Sequence, residues 1–169
     1  MNTQNTTTAR LYVGTYAKYN NGSIGGEWVD LEDFADATEF YDYCHKLHSD
    51  EEDPEFMFQD FEGFPKDLYS ECGNVEAIYE YLDFVNDSHL DQEIIDSGLD
   101  LGIPLDKIEE AYYGSFDNDT DLAYEYIDST GLLHGVPESI TNYFDYEAFG
   151  CDLSMDFIES DGHYFLANW

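Results

Sequence analysis

The sequence predicts an α+β protein, an elongated chain of three small units in which the outer two mix strands with helices and the middle one is helical. Three observations carry that prediction. Short alternating apolar runs gather toward the two ends of the chain, amphipathic periods of 3.6 residues fill the stretch between, and Gly, Asn, Asp and Pro separate the elements at short intervals. The expected limits are a polar tail over 1–10, an N-terminal α+β domain over 11–72, a helical middle domain over 73–112 and a C-terminal α+β domain over 113–169.

Residues 11–17 (LYVGTYA) and 23–29 (SIGGEWV) read as hairpin strands joined through Asn20, Asn21 and Gly22. Asp30 is the expected cap of a helix reaching Leu47, with Leu31, Phe34 and Tyr41 on one face and Glu32, Asp36 and Glu39 nearly opposite. After the acidic turn SDEEDP, residues 55–61 (EFMFQDF) read as a third strand. Next, Val75, Ile78, Leu82 and Val85 recur at helical spacing, and Glu76, Glu80, Asp83 and Asp87 recur on the other side. Shorter helices are expected over 91–101 and, with Pro104 at its start, over 105–112. Asp119 is the expected cap of a helix that turns Leu122, Ala123, Tyr126 and Ile127 inward and Asp121, Glu125 and Asp128 outward. Two helical patches are expected in VPESITNYFDYEAFGCDL, the first from Pro137, and residues 155–159 and 163–167 alternate around Asp161 and Gly162 as a hairpin.

Charge is the strongest signal. The chain has 39 Asp and Glu against 5 Lys and Arg, a formal charge of -34 over 169 residues. Acidic chains of this kind are disordered when they lack apolar residues, but this one is 43% hydrophobic and 17% aromatic and can bury a core. The basic residues are Arg10, Lys18, Lys46, Lys66 and Lys107, so the fourteen carboxylates after Lys107 have no Lys or Arg near them in sequence. A countercharge there must come from another molecule. Duplex DNA carries one charge per ~1.7 Å of axis, so this net charge equals that of roughly 17 base pairs. One helix row such as Glu76, Glu80, Asp83 and Asp87 gives one carboxylate per ~5.5 Å, so several elements must combine to match a duplex. Composition fits equally an acidic surface kept for solubility or for high salt.

Other chemistries find little support. Asp117, Asp119 and Asp121 alternate as in a calcium loop, but Leu122 stands where the bend needs Gly and Asp128 where the bidentate Glu belongs. Cys44, His45 and His48 lack a fourth zinc ligand. No nucleophile elbow, phosphate loop or dinucleotide fingerprint is present, so no catalytic, metal or cofactor-binding residue is expected. Aromatic stacking on nucleic acid is opposed by the charge. No apolar run approaches a membrane span and no leader precedes the fold, which predicts a cytoplasmic protein with three reduced cysteines.

Three blocks add something more specific. LYVGTYAKYNNGSIGGEWVDL (11–31), DPEFMFQDFEGFP (53–65) and GLLHGVPESITNYFDYEAFGCDL (131–153), in that order and spacing, resemble the ArdA antirestriction proteins. The resemblance covers essentially 11–169, and the middle, 73–113, matches mainly in acidity and helical period.

That resemblance implies a non-enzymatic protein carried by plasmids and other mobile genetic elements. It implies a B-form DNA mimic that inhibits type I restriction-modification enzymes by occupying the DNA groove of the methyltransferase core. It also implies a three-domain fold and a homodimer joined head to head through the region of the third block. The candidate phosphate-imitating carboxylates are Glu32, Asp36, Glu39, Glu76, Glu80, Asp83, Asp87, Asp121, Glu125 and Asp128. The candidate motif and dimer residues are Val136, Pro137, Glu138, Tyr143, Phe144, Asp145, Tyr146 and Phe149. Of these, Tyr143, Phe144, Tyr146 and Phe149 are expected on the packed side, with Glu138, Asp145, Glu147 and Asp152 outward. Cys151 stands where the family often has a basic residue. The same surface would also serve a mimic aimed at another basic DNA-binding protein or a nuclease.

Overall fold

The structure, a computed structural model, describes residues 8–169; most of the polar tail expected over 1–10 lies outside the described residues, while Ala9 is buried and Arg10 opens the first strand. The chain divides into two compact units, the first ending at Asn86 and the second running from Asp87 to Trp169. Both combine helices with a small antiparallel sheet, which makes the fold α+β.

In the first unit, β1 (Arg10–Thr15) lies between β2 (Glu27–Asp30) and β3 (Phe56–Glu62). Leu11 pairs with Val29 on one side and Phe61 on the other, and a bulge follows Tyr12. The first strand stops at Thr15, short of the expected Ala17, because the Thr15 hydroxyl accepts from Lys18 N–H and starts a short helix, α1 (Tyr16–Asn20). Asp30 makes no side-chain cap; it leads into a single 3-10 turn, Leu31–Asp33. The helix α2 (Ala37–Leu47) starts instead at Asp36, whose carboxylate accepts from Glu39 N–H at 3.0 Å. Leu11, Val13, Leu31, Phe40, Cys44 and Phe58 form the core, with the Phe40 and Phe58 rings 5.9 Å apart. The helix α3 (Val75–Asp87) contributes Val75, Ile78, Tyr79 and Tyr81, and the Tyr79 hydroxyl donates to the Leu31 carbonyl at 2.8 Å.

The second unit holds α4 (Gln92–Asp100), a 3-10 turn at Leu105–Lys107, α5 (Ile108–Ala111), β4 (Tyr112–Ser115), α6 (Asp119–Thr130), α7 (Glu138–Thr141), α8 (Tyr146–Leu153), β5 (Phe157–Ser160) and β6 (His163–Leu166). Its sheet runs β4-β6-β5, all antiparallel. The helical segment expected over 105–112 ends at Ala111, and Tyr112 begins an edge strand that the sequence pattern does not reveal. In β6, Tyr164 and Phe165 point to opposite faces, yet they are only 6% and 0% exposed, so the sheet is covered on both sides. Phe165 lies against Gly98 of α4 and Ile108 of α5 shares that contact, whereas Tyr164 packs with Leu122, Leu153 and Phe157. Gly150 lets α8 cross α6 closely: a Cβ there would run into the backbone of Asp119. The β5–β6 turn uses Asp161 and Gly162, both at positive φ, as its two-residue length requires.

Candidate functional site: the acidic surface and the third block

All ten candidate carboxylates are exposed, but they are not equivalent. On α3, Glu76, Glu80, Asp83 and Asp87 share one face of a 13-residue helix whose other face is buried at Val75, Ile78 and Tyr79. None of the four makes a hydrogen bond or ion pair with a described residue. Their 4, 3, 4 spacing also sets each acid beside another one turn away, an arrangement that weakens the helix. A stripe that costs stability and has no partner among the described residues is available to an outside one.

On α2 the acids already have structural tasks. Asp36 caps the helix, and Glu39 reaches back to accept from Ala35 N–H at 3.0 Å, a reciprocal arrangement that holds the first turn. Glu32 lies in the preceding turn and is not part of a helical row with them, so the expected face of Glu32, Asp36 and Glu39 does not form as drawn. Both Asp36 and Glu39 stand close enough to Tyr79 that their charges, after its burial, help push that phenol above its usual range.

On α6 the cap is Asn118 rather than Asp119: its side chain accepts from Asp121 N–H at 3.0 Å and donates to the Asp121 carboxylate at 3.0 Å. Asp119 instead accepts from the Tyr164 hydroxyl at 2.8 Å, which together with burial pushes Tyr164 up to about 12. The expected division of this helix holds, with Leu122, Ala123 and Ile127 buried, Tyr126 half-buried, and Asp121, Glu125 and Asp128 exposed.

The few cations are largely consumed at home. Arg10 pairs with Glu62 at 2.6 Å and lies over the Trp28 ring at 4.8 Å. Lys18 reaches Asp50 at 2.9 Å and holds its carboxyl below the usual range; Lys107 does the same for Glu110 at 2.9 Å. With five Lys and Arg for 39 carboxylates, most of the negative surface has no internal countercharge.

The alternatives raised by the sequence are dispersed by the fold. Cys44 is buried, which pushes its thiol up to about 12; His45 lies edge-on to Phe56; His48 is buried with one ring nitrogen on Lys18 Nζ and the other on the Val13 carbonyl. Among the described residues no group of three or more His, Cys, Asp or Glu is placed to hold a metal. No helix among them is long and apolar enough to cross a membrane.

The third block wraps the end of α6 as two short helices. Asp145 caps α8, accepting from Ala148 N–H at 3.0 Å, while Glu138, Glu147 and Asp152 are exposed. Phe144, Tyr146 and Phe149 pack within the unit: Phe149 lies against the Leu122–Leu153 cluster, Phe144 meets Phe149 and Tyr146, and Tyr146 stacks on Tyr124 at 4.0 Å. Val136 is half-buried and Pro137 exposed at the start of α7. Tyr143 differs from its neighbours. It is 88% exposed, and Ile140, at 60%, and Leu132 earlier in the block are exposed too. Sequence reasoning grouped Tyr143 with the packed rings and gave no role to Tyr124, Leu132 or Ile140; the signal available was their apolar character in a stretch otherwise polar.

The chain is thus a strongly acidic α+β protein with a three-stranded sheet in each unit, an α3 stripe of carboxylates without a partner among the described residues, and exposed apolar residues at Leu132, Ile140 and Tyr143 of the third block. A family model described as antirestriction protein (ArdA) matches residues 11–165, and the chain belongs to that family. No curated protein matches it.

Proposed function

We propose that this antirestriction protein is a non-enzymatic DNA mimic that occupies the DNA groove of a type I restriction-modification enzyme, acting as a homodimer in the cytoplasm. The observation that supports this reading best is the α3 stripe, four carboxylates on one helix face with no partner among the described residues. Lys and Arg lining a DNA groove would exchange phosphates for these carboxylates, releasing counterions from both surfaces. The carboxylates of α6 add exposed charge on the second unit, and Tyr143 with Ile140 offers the apolar contact of a dimer. The helical stretch of 73–112 and the domains that flank it would together present the charge at the density one helix lacks.

The test is competition. A type I methyltransferase core bound to a labelled duplex carrying its target site is titrated with this protein. Displacement near one dimer per enzyme supports the mimic; retention of the duplex by the enzyme against excess folded protein counts against it and turns attention to other basic proteins.

A further inference from the structure

The second unit contains a cavity that diffuse charge imitation does not account for. It measures about 350 Å³ and is lined by Tyr124, Ile127 and Asp128 of α6 and by Leu133, His134 and Tyr146 from the segment that follows. The Tyr124 and Tyr146 rings stack at 4.0 Å and 18°, which fixes an aromatic wall, and Ile127 and Leu133 add apolar surface. Asp128 is the carboxylate on its lining. A phosphate would meet a unit with twenty carboxylates and one Lys, and a neutral ring would make no use of the exposed Asp128 carboxylate. A guanidinium suits both the aromatic wall and Asp128: it is planar, weakly hydrated, stacks on aromatic faces and pairs with a carboxylate in the same pose. The compact, strongly hydrated ammonium of lysine does this poorly. No Lys or Arg follows Lys107 in the chain, so the second unit's own third block and sheet cannot supply the occupant.

We infer that this cavity receives an arginine side chain of the protein's basic partner, a discrete arginine-selective point within an otherwise interchangeable acidic surface. The identity of that partner rests on the function proposed above, but the cavity's chemistry does not.

The test therefore uses the free protein. Nα-acetyl-arginine amide and Nα-acetyl-lysine amide are titrated separately at ~0.15 M salt, where diffuse attraction is screened beyond ~8 Å. The resonances of Tyr124, Ile127 and Tyr146 are followed by NMR in the wild type, Asp128→Asn and Asp156→Asn. Asp156 is exposed, lies in the same unit and is absent from the cavity lining, so it controls for the loss of one charge. The expected result is a saturable shift confined to the cavity, tighter for the arginine probe by at least about threefold, and weakened about fivefold or more by Asp128→Asn alone. Equal response to both probes, shifts scattered over the acidic surface, or equal effects of the two variants would overturn the inference. So would cavity shifts that follow protein concentration without probe, since a second copy would then be the occupant. Failure here leaves the DNA competition result untouched, and failure of that competition leaves this one untouched.

Discussion

The two units carry nearly the same number of acids and treat them differently. The first has 19 carboxylates and four of the five basic residues; the second has 20 and only Lys107. In the first, acids are woven into the fold: Glu62 holds Arg10, Asp50 holds Lys18, and Asp36 with Glu39 fixes the start of α2. In the second, stability rests on a sheet covered on both faces, and the acids that do structural work mostly accept from N–H and O–H groups, as Asp119, Asp145 and Glu159 do. An acidic surface can therefore be kept by a compact domain in two ways, with a few internal cations or with a core that needs none. The α3 stripe, which runs from Glu76 in the first unit to Asp87 at the start of the second, follows the second unit's rule.

The largest effect that would sharpen this contrast is expected on α3. Replacing Glu76, Glu80, Asp83 and Asp87 together by their amides should weaken inhibition of restriction at least about tenfold while raising the melting temperature, because the like-charge pairs along the helix disappear. Inhibition and thermal unfolding are measured on the same preparation. A fall in both would show that the stripe is structural. Any one of the four changes alone should alter inhibition less than about twofold, since the charge is distributed.

Gly150→Val attacks the second unit only. Its side chain would meet the Asp119 backbone where α8 crosses α6, and overpacking of that kind costs about 1–3 kcal/mol. Urea unfolding followed at Trp169 should shift, while the signal of Trp28 in the first unit should not. In the first unit the matching change is Tyr79→Phe, which removes one of the two donors to the Leu31 carbonyl, leaving it Phe34 N–H, and should cost about 0.5–1.5 kcal/mol at Trp28.

Alkaline pH should separate the units more gently. Burial pushes Cys44 up to about 12 and raises Tyr79, so the unfolded first unit releases these protons before the folded one does. Its stability is complete below the unfolded thiol pKa of ~8.5 and falls as pH rises toward 12. In the second unit Tyr164, also pushed up to about 12, begins to weaken the fold only above the unfolded tyrosine value of ~10. Between pH ~8.5 and ~10 the urea midpoint at Trp28 should decline and that at Trp169 should hold. Cys44→Ser, which still folds or fails visibly by circular dichroism, should flatten the first decline.

Much of this was legible in the sequence because period survives where a helix is long. The faces of α3 and α6 and the closing hairpin follow their apolar spacing. What escaped was set by local competition. A helix from Asp30 fails because Leu31–Asp33 closes a 3-10 turn and Phe34 returns to extended backbone, so the helical face drawn through Glu32 has no helix beneath it. Strand β4 escaped because four residues with a register shift between Tyr112 and Gly114 leave no alternation to detect. Tyr143 differs from the other three aromatic residues expected on the packed side: it sits between α7 and α8 and is exposed, while Phe144, Tyr146 and Phe149 pack within the unit. The cavity beside Tyr124 could not be found from spacing at all, since it depends on the third block folding back over α6.

The most direct measurement is the salt dependence of affinity for a type I methyltransferase core, taken for the wild type and the fourfold α3 variant. Charge imitation predicts that log K falls steeply and linearly with log salt for the wild type, and that the variant's slope is shallower by up to about four counterions' worth. A wild-type slope near zero, or identical slopes for the two proteins, would contradict it.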